Sequence, residues 1–482
     1  MAGIVGIARK GETAQVRSAL ARIAHRGGAG SSVWSHEGAT LGVVWPAAQQ
    51  LAQRASNRYG VALDGDIHNW TDIGAGSVCP LEALERECHQ SGPGFAAGLD
   101  GPFALAIAAA DGVFLARDVV GKSPLYVGRC RGALCFASEV KALAGWADDI
   151  REFPPGHYRA PGEGLVAHAR LEEQPPLAKA PAEVATELRR RLVASVRKRM
   201  APGEMGAWLS GGLDSAALTA LAAPQADVLR TFSVGVDGSP DLHYARIVAG
   251  HVGSHHHERV VTVAEMTRAL PEVIYHLESF DALLVRSSIT NYLVGQLASD
   301  HVPVTLSGEG GDELFGGYDY LKELPIAALP AELIDITGRL HNTALQRVDR
   351  CSAAHGLVAR TAFLDRDVLA YALRIPPEMK IHRNGNAVEK WILRAAIEGL
   401  LPDEVTNRPK AKFWQGAGVG ELLAERADAA LSDADFAAGR ALPDGSRART
   451  KEELWYYRIF REQFGDDVSP ALVGRTKGAP EV

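Results

Sequence analysis

Along the first 165 residues, short apolar runs alternate with polar positions and turn residues. Ile4–Ala8, Gly42–Trp45, Tyr59–Leu63, Phe103–Ala109, Gly112–Ala116 and Ala133–Ser138 read as strands. Helical spacing interrupts them at Ala14–Ala24 and Leu81–Gln90. The pattern predicts packed antiparallel sheets with flanking helices. A polar, proline-rich stretch, Glu172–Ala182, then marks a boundary. Beyond it Val184, Leu188, Leu192, Val193 and Val196 recur among arginines, an amphipathic helix over Val184–Lys198. The remainder alternates: strand Val228–Val236, helix His243–Val252, strand Glu258–Val263, helix Val263–His276, strand Val302–Leu306. Strands separated by helices predict a parallel sheet with ligands beyond its carboxyl ends. The chain divides into residues 1–170, a linker 171–182, a second domain 183–470 and a flexible tail 471–482, where Arg475–Val482 lacks periodicity.

Composition narrows the class. With 482 residues, 46% hydrophobic and 23% charged, the chain has the make-up of a soluble multidomain enzyme. A net charge of −7 argues against nucleic acid as the main partner, since phosphate backbones need a basic face. No apolar run approaches the ~20 residues that span a bilayer, and the start, Met1–Ala8, is too short for a signal peptide. Five cysteines without paired CxxC spacing read as buried thiols of a reducing cytoplasm.

Two glycine-rich segments carry the candidate chemistry, each at the end of an expected strand. In Ala207-Trp208-Leu209-Ser210-Gly211-Gly212-Leu213-Asp214-Ser215, a strand runs through a tight turn into a helix start. Free N–H groups and the helix dipole favour an anion there, and glycines allow close backbone approach. Asp214 suits a Mg²⁺ that phosphates share. The string resembles the pyrophosphate loop of ATP pyrophosphatases and lacks the Gly-Lys-Ser/Thr of a Walker A loop. The second segment, Ser307-Gly308-Glu309-Gly310-Gly311-Asp312-Glu313, places three carboxylates within five residues, a candidate metal and acid/base cluster. His255-His256-His257 is not read as a zinc site, because adjacent strand residues point to alternate faces.

The chain resembles the asparagine synthetase B family over most of its length. The N-terminal resemblance rests on Met1–Gly6, His25-Arg26-Gly27, Asp64–Asn69, Ala116-Arg117-Asp118, Gly121, Pro124-Leu125-Tyr126 and Phe136–Leu143. Later blocks include Gly238–Leu242, Val273–Asp281, Ser307–Tyr318, Phe363-Leu364-Asp365, Glu389–Arg394, Asn407–Lys410 and Lys451–Phe460. The resemblance implies an α/β protein: an Ntn-hydrolase-like α+β domain of packed antiparallel sheets, then an adenine-nucleotide α-hydrolase-like parallel-sheet domain with a helical extension. It implies ATP and Mg²⁺ as cofactors, and a homodimer. Leu209, Val234, Ser307 and Gly308 match positions around AMP; Ser210, Gly211, Gly212, Asp214 and Ser215 match the pyrophosphate loop. Asp214 and Asp312 match the metal-binding acids, and Glu309 the acid that takes a proton from the attacking amine. Lys410 matches the lysine that stabilises leaving pyrophosphate, with Lys412 as a rival; Arg286 and Ser287 match the carboxylate-substrate side.

The departures are as informative. The family's nucleophilic cysteine is Ala2, whose methyl group cannot form a thioester. The family's Asn-Gly-Glu is Asp64-Gly65-Asp66, putting a carboxylate where an oxyanion amide belongs. The acid gripping the glutamine amine is replaced by Val78, and the carboxylate-binding arginine is missing near Gly42–Trp45. These losses predict a glutaminase scaffold without glutaminase activity. Val358 stands for an acid, and Leu283 and Leu284 for two threonines near the substrate. The leading expectation is an ATP-dependent ligase that adenylates a carboxylate and passes it to ammonia or an amine, in specialised metabolism. Alternatives are ring closure of the β-lactam synthetase type, disfavoured by the retained Glu309, and a non-catalytic scaffold, disfavoured by the retained Asp214, Asp312 and Lys410. A tRNA-thiolating pyrophosphatase would need a basic surface.

Overall fold

The computed structural model describes residues 1–49, 56–383, 386–408 and 420–477. The N-terminal part is a four-layer α-β-β-α stack. One antiparallel sheet runs Gly30–His36, Ala39–Trp45, Gly3–Ile7, Ala133–Ala137, Tyr126–Cys130, Asp148–Glu152 in spatial order. The other runs Val166–Ala167, His157–Arg159, Gly112–Arg117, Phe103–Ala109, Val61–Gly65. Their facing sides interdigitate through Ile4, Leu41 and Val43 against Ala62, Ala104, Ala106 and Leu115. Helix Thr13–Ala21 covers the outer face of the first sheet with Val16 and Leu20. Helix Pro80–Ser91 covers the second with Leu81 and Leu84. Because both sheets are covered on both sides, Gly3–Ile7 and Ala39–Trp45 are buried at every residue.

After helix Pro181–Arg199 comes a five-stranded parallel sheet, ordered His255–Val260, Val228–Gly235, Glu204–Trp208, Val304–Ser307, Val358–Thr361. The first strand in the chain is therefore central. The next two build outward on one side and the last two on the other, so the order reverses between Glu204–Trp208 and Val304–Ser307. Register pairs Gly206 with Thr305 and Ala207 with Leu306. The two glycine segments consequently leave neighbouring strand ends at the switch point, where open α/β sheets bind ligands.

Element boundaries differ from the sequence pattern in specific places. The strand expected at Glu258–Val263 is His255–Val260, a partly exposed edge strand on which polar residues are tolerated. Histidine orientation follows the pleat: His256 Nδ1 lies 3.0 Å from Thr231 Oγ1, while His257 stacks on Phe232 and His301. The segment expected to be a tail from 471 is tied down as far as Lys477. Arg475 pairs with Glu453, Thr476 Oγ1 donates to Asp281 Oδ1 at 2.6 Å, and Lys477 pairs with Glu332 and Asp335 at 2.8 Å. Residues 478–482 lie outside the described residues.

Candidate active site

The loop after Glu204–Trp208 is fixed by its own hydroxyls. Leu209 N–H donates to Phe232 O at 2.9 Å, and Ser210 N–H to Ser215 Oγ at 3.2 Å. Gly212 N–H donates to Ser210 Oγ at 3.3 Å, and Ser215 Oγ–H returns to Gly212 O at 3.0 Å. Gly211 sits at φ +69°, and a Cβ there would lie 2.6 Å from Tyr244 Cβ, so both backbone and space require glycine. Helix Leu213–Ala222 then starts with every residue buried except Asp214. The second loop nests against the first. A Cβ on Gly308 would come within 3.0 Å of Ser215 N, and one on Gly311 within 2.5 Å of the Asp214 carboxyl carbon. Leu209, Val234 and Ser307 are buried at the strand ends beneath the two turns.

The sequence-expected acids converge on a cation that sequence reasoning missed. Lys390 Nζ lies 2.6 Å from Asp214 Oδ2 and 2.5 Å from Asp312 Oδ1. Burial alone would lower its pKa, but the two carboxylates more than offset this and hold the ammonium above its ordinary range. Gly317 permits the arrangement, since a Cβ there would overlap Asp312 Oδ1 and Lys390 Cε. Glu309 faces a second unforeseen partner, Arg347, in an ion pair. Behind it, burial and then the charges of Asp312 and Glu309 push Glu313 up to about 7, and Tyr318 donates its hydroxyl to it. One sequence signal existed for Lys390. A lysine at a helix N-cap opposes the helix dipole and so demands a tertiary partner. Arg347 gave no such signal.

Two carboxylates that meet on one cation, bordered by glycine turns, suit a magnesium shared with phosphate oxygens. Asp214 and Asp312 are the residues that would hold it. Lys410 and Lys412 lie outside the described residues. The segment leading to them is anchored at Arg408, whose guanidinium pairs with Asp241 at 2.5 Å and stacks 4.4 Å from the Tyr244 ring centroid. Asp241 and Tyr244 are the same residues that press against Gly211.

The chain matches the Asparagine synthase family over residues 187–337 and 329–477, and the Glutamine amidotransferase domain over residues 1–153. This chain belongs to the asparagine synthetase family. Asparagine synthetase B of Escherichia coli is 33% identical over 94% of this chain and 86% of its own length. A probable asparagine synthetase of Schizosaccharomyces pombe is 36% identical over 78% and 74%. Asparagine synthetase 1 of Saccharomyces cerevisiae is 32% identical over 92% and 89%. All three are described as glutamine-hydrolysing. Asparagine synthetases of this family are ligases that form C–N bonds with ATP cleaved to AMP and pyrophosphate.

In this asparagine synthetase relative, the surroundings of position 2 are packed with ions. Ala2 is fully buried and donates its N–H to Gln49 Oε1 at 2.7 Å. Its carbonyl accepts from Arg26 Nε at 2.7 Å. The Arg26 guanidinium, itself fully buried, also meets Glu139 at 2.8 Å, Asp64 at 3.1 Å and both oxygens of Asp349 at 2.8 and 2.9 Å. Burial raises the Asp64 carboxyl to about 6 against the pull of Arg26. Of the two residues expected to line the carboxylate substrate, Arg286 is bound by the Glu452 carboxylate, with Nε 2.7 Å from both oxygens. Ser287 turns its hydroxyl back to Leu283 O at 2.9 Å.

Proposed function

We propose that the protein is an ATP-dependent amide synthetase that uses ammonia or an amine directly and does not hydrolyse glutamine. The reading rests on one juxtaposition: Asp214 and Asp312, from turns on adjacent strand ends, converge on a single cationic position. In this reading the turn Ser210–Gly212 receives the phosphates, over Leu209, Val234, Ser307 and Gly308 at the nucleoside side. The substrate carboxylate attacks the α-phosphorus and displaces pyrophosphate, whose charge Lys410 stabilises; the amine then attacks the acyl-adenylate carbonyl, Glu309 takes its proton, and AMP departs. Magnesium held by Asp214 and Asp312 would supply charge neutralisation on the phosphates. Arg286 binds the substrate carboxylate only after releasing Glu452. Ala2 lacks a nucleophile and Asp64 a neutral donor, which supports direct use of the amine.

The test is pyrophosphate release from ATP–Mg²⁺ with a panel of amino-acid carboxylates, each with glutamine, with ammonium and with no amine. Release that needs ammonium or another amine and ignores glutamine is the expected result. Glutamate appearing with turnover would refute the direct-amine reading. Release with one substrate and no added amine would mean ring closure.

A further inference from the structure

Helix Ala344–Ala353 lies between the two halves of the molecule and presents charged groups to both. Arg347 points to the synthetase side and pairs with Glu309. Asp349, two residues on and so about 200° around the helix, points the other way and receives the Arg26 fork at 2.8 and 2.9 Å. Arg350 meets Glu139 at 2.9 Å. Two side chains of the N-terminal half thus grip two consecutive residues of one helix. The grip is itself braced. Glu139 is held well below the ordinary carboxylate range because Lys141, His25 and Arg350 outweigh its burial, and Arg26 is further fixed by Asp64 and the Ala2 carbonyl. Every one of these groups is buried or nearly so. Buried ion clusters add little net stability against well-packed apolar side chains. What they do supply is direction, because a forked guanidinium on a carboxylate fixes both distance and angle.

We propose that the N-terminal domain positions Glu309: Arg26 and Glu139 set the pose of helix Ala344–Ala353, and that pose sets Arg347 against Glu309. Arg26, Glu139 and Arg347 act in this proposal as positioning residues, through Glu309 rather than on the reacting atoms. The inference rests on the role given to Glu309 above. It explains how a domain without a nucleophile at position 2 still serves the reaction, as a brace for the distant acid.

A double-mutant cycle on the full-length protein tests it, using Arg26→Lys and Arg347→Lys, which keep charge and lose the fork. Turnover is read as pyrophosphate release with the substrate pair found in the panel, starting from aspartate and ammonium. Arg26→Lys is expected to lower kcat about tenfold with KM for ATP changed less than about twofold. In the Arg347→Lys background the same change is expected to cost less than about twofold, because the pathway is already cut. Full multiplicative losses in the double variant, or a loss carried by KM, would overturn the proposal. If Arg26→Lys does not fold, Asp349→Asn takes its place in the cycle. If no carboxylate turns over, the functional reading fails separately, and hydrogen exchange decides the coupling. Arg26→Lys should then raise exchange in peptide 307–315 by about threefold or more while leaving 255–260 unchanged. Unchanged exchange at 307–315 would overturn it.

Discussion

At Lys390 one ammonium satisfies two carboxylates that a magnesium–nucleotide complex would also engage. Lys390→Met removes the shared cation from between them. The expected outcome is a melting temperature lowered by the equivalent of about 3–5 kcal/mol in metal-free buffer, with Mg²⁺ restoring more of it in the variant than in the parent. A second buried lysine shows the opposite balance. Burial alone pushes Lys380 down to about 7. The unfolded chain therefore binds more protons between that value and the ordinary lysine pKa of about 10.4, so this group makes stability rise with pH through that window. Lys380→Met should stabilise the protein by a few kcal/mol, on the order of 2–4, at pH 7, with the gain fading toward pH 10; urea unfolding across pH checks it. At position 2, Ala2→Cys should yield a thiol but no glutamate release from glutamine, because Asp64 and the Arg26 cluster remain. Measurable glutaminase activity in that variant would show that the cysteine was the sole loss.

Glycine turns carry the arrangement of elements. Gly311→Ala drives a methyl group into the Asp214 carboxylate and Gly317→Ala into Asp312 and Lys390. Each should reduce ATP–Mg²⁺ binding by on the order of 100-fold in calorimetry, whereas Gly338→Ala meets open space and should bind normally. These turns were legible in the sequence because their chemistry is local: glycines, acids and hydroxyls within a few residues of a strand end. The strands the pattern missed are mostly edges. Gly30–His36 and Asp148–Glu152 flank the six-stranded sheet, are largely polar and partly exposed, and so lack a clean alternation. Helix Ala282–Ser299 was missed for the reverse reason. It is buried nearly all round, and Ser287 and Ser288 return their hydroxyls to carbonyls on their own helix, leaving no polar stripe to read. Which partners Lys390 and Arg347 meet was illegible, because those partners lie 176 and 38 residues away, distances that only the folded sheet closes.

For the molecule as a whole, the two halves share one apolar core as well as the charged brace. Val140 and Leu143 from the first pack in the same cluster as Leu277, Phe280 and Phe460 from the second. The order of strands in the parallel sheet has a consequence for how the protein is made. Glu204–Trp208 is central, yet one of its two edges stays unpaired until Val304–Ser307 has been synthesised about a hundred residues later. A nascent chain released between these points has the Ser210–Ser215 turn and Asp214 but neither Asp312 nor Lys390 to meet it. It also carries an open central edge with hydrophobic faces, a state that invites mispairing and chaperone capture. Under the proposed function, nucleotide binding at these turns would therefore arrive late on the ribosome, and ATP would stabilise only chains that have already closed their sheet.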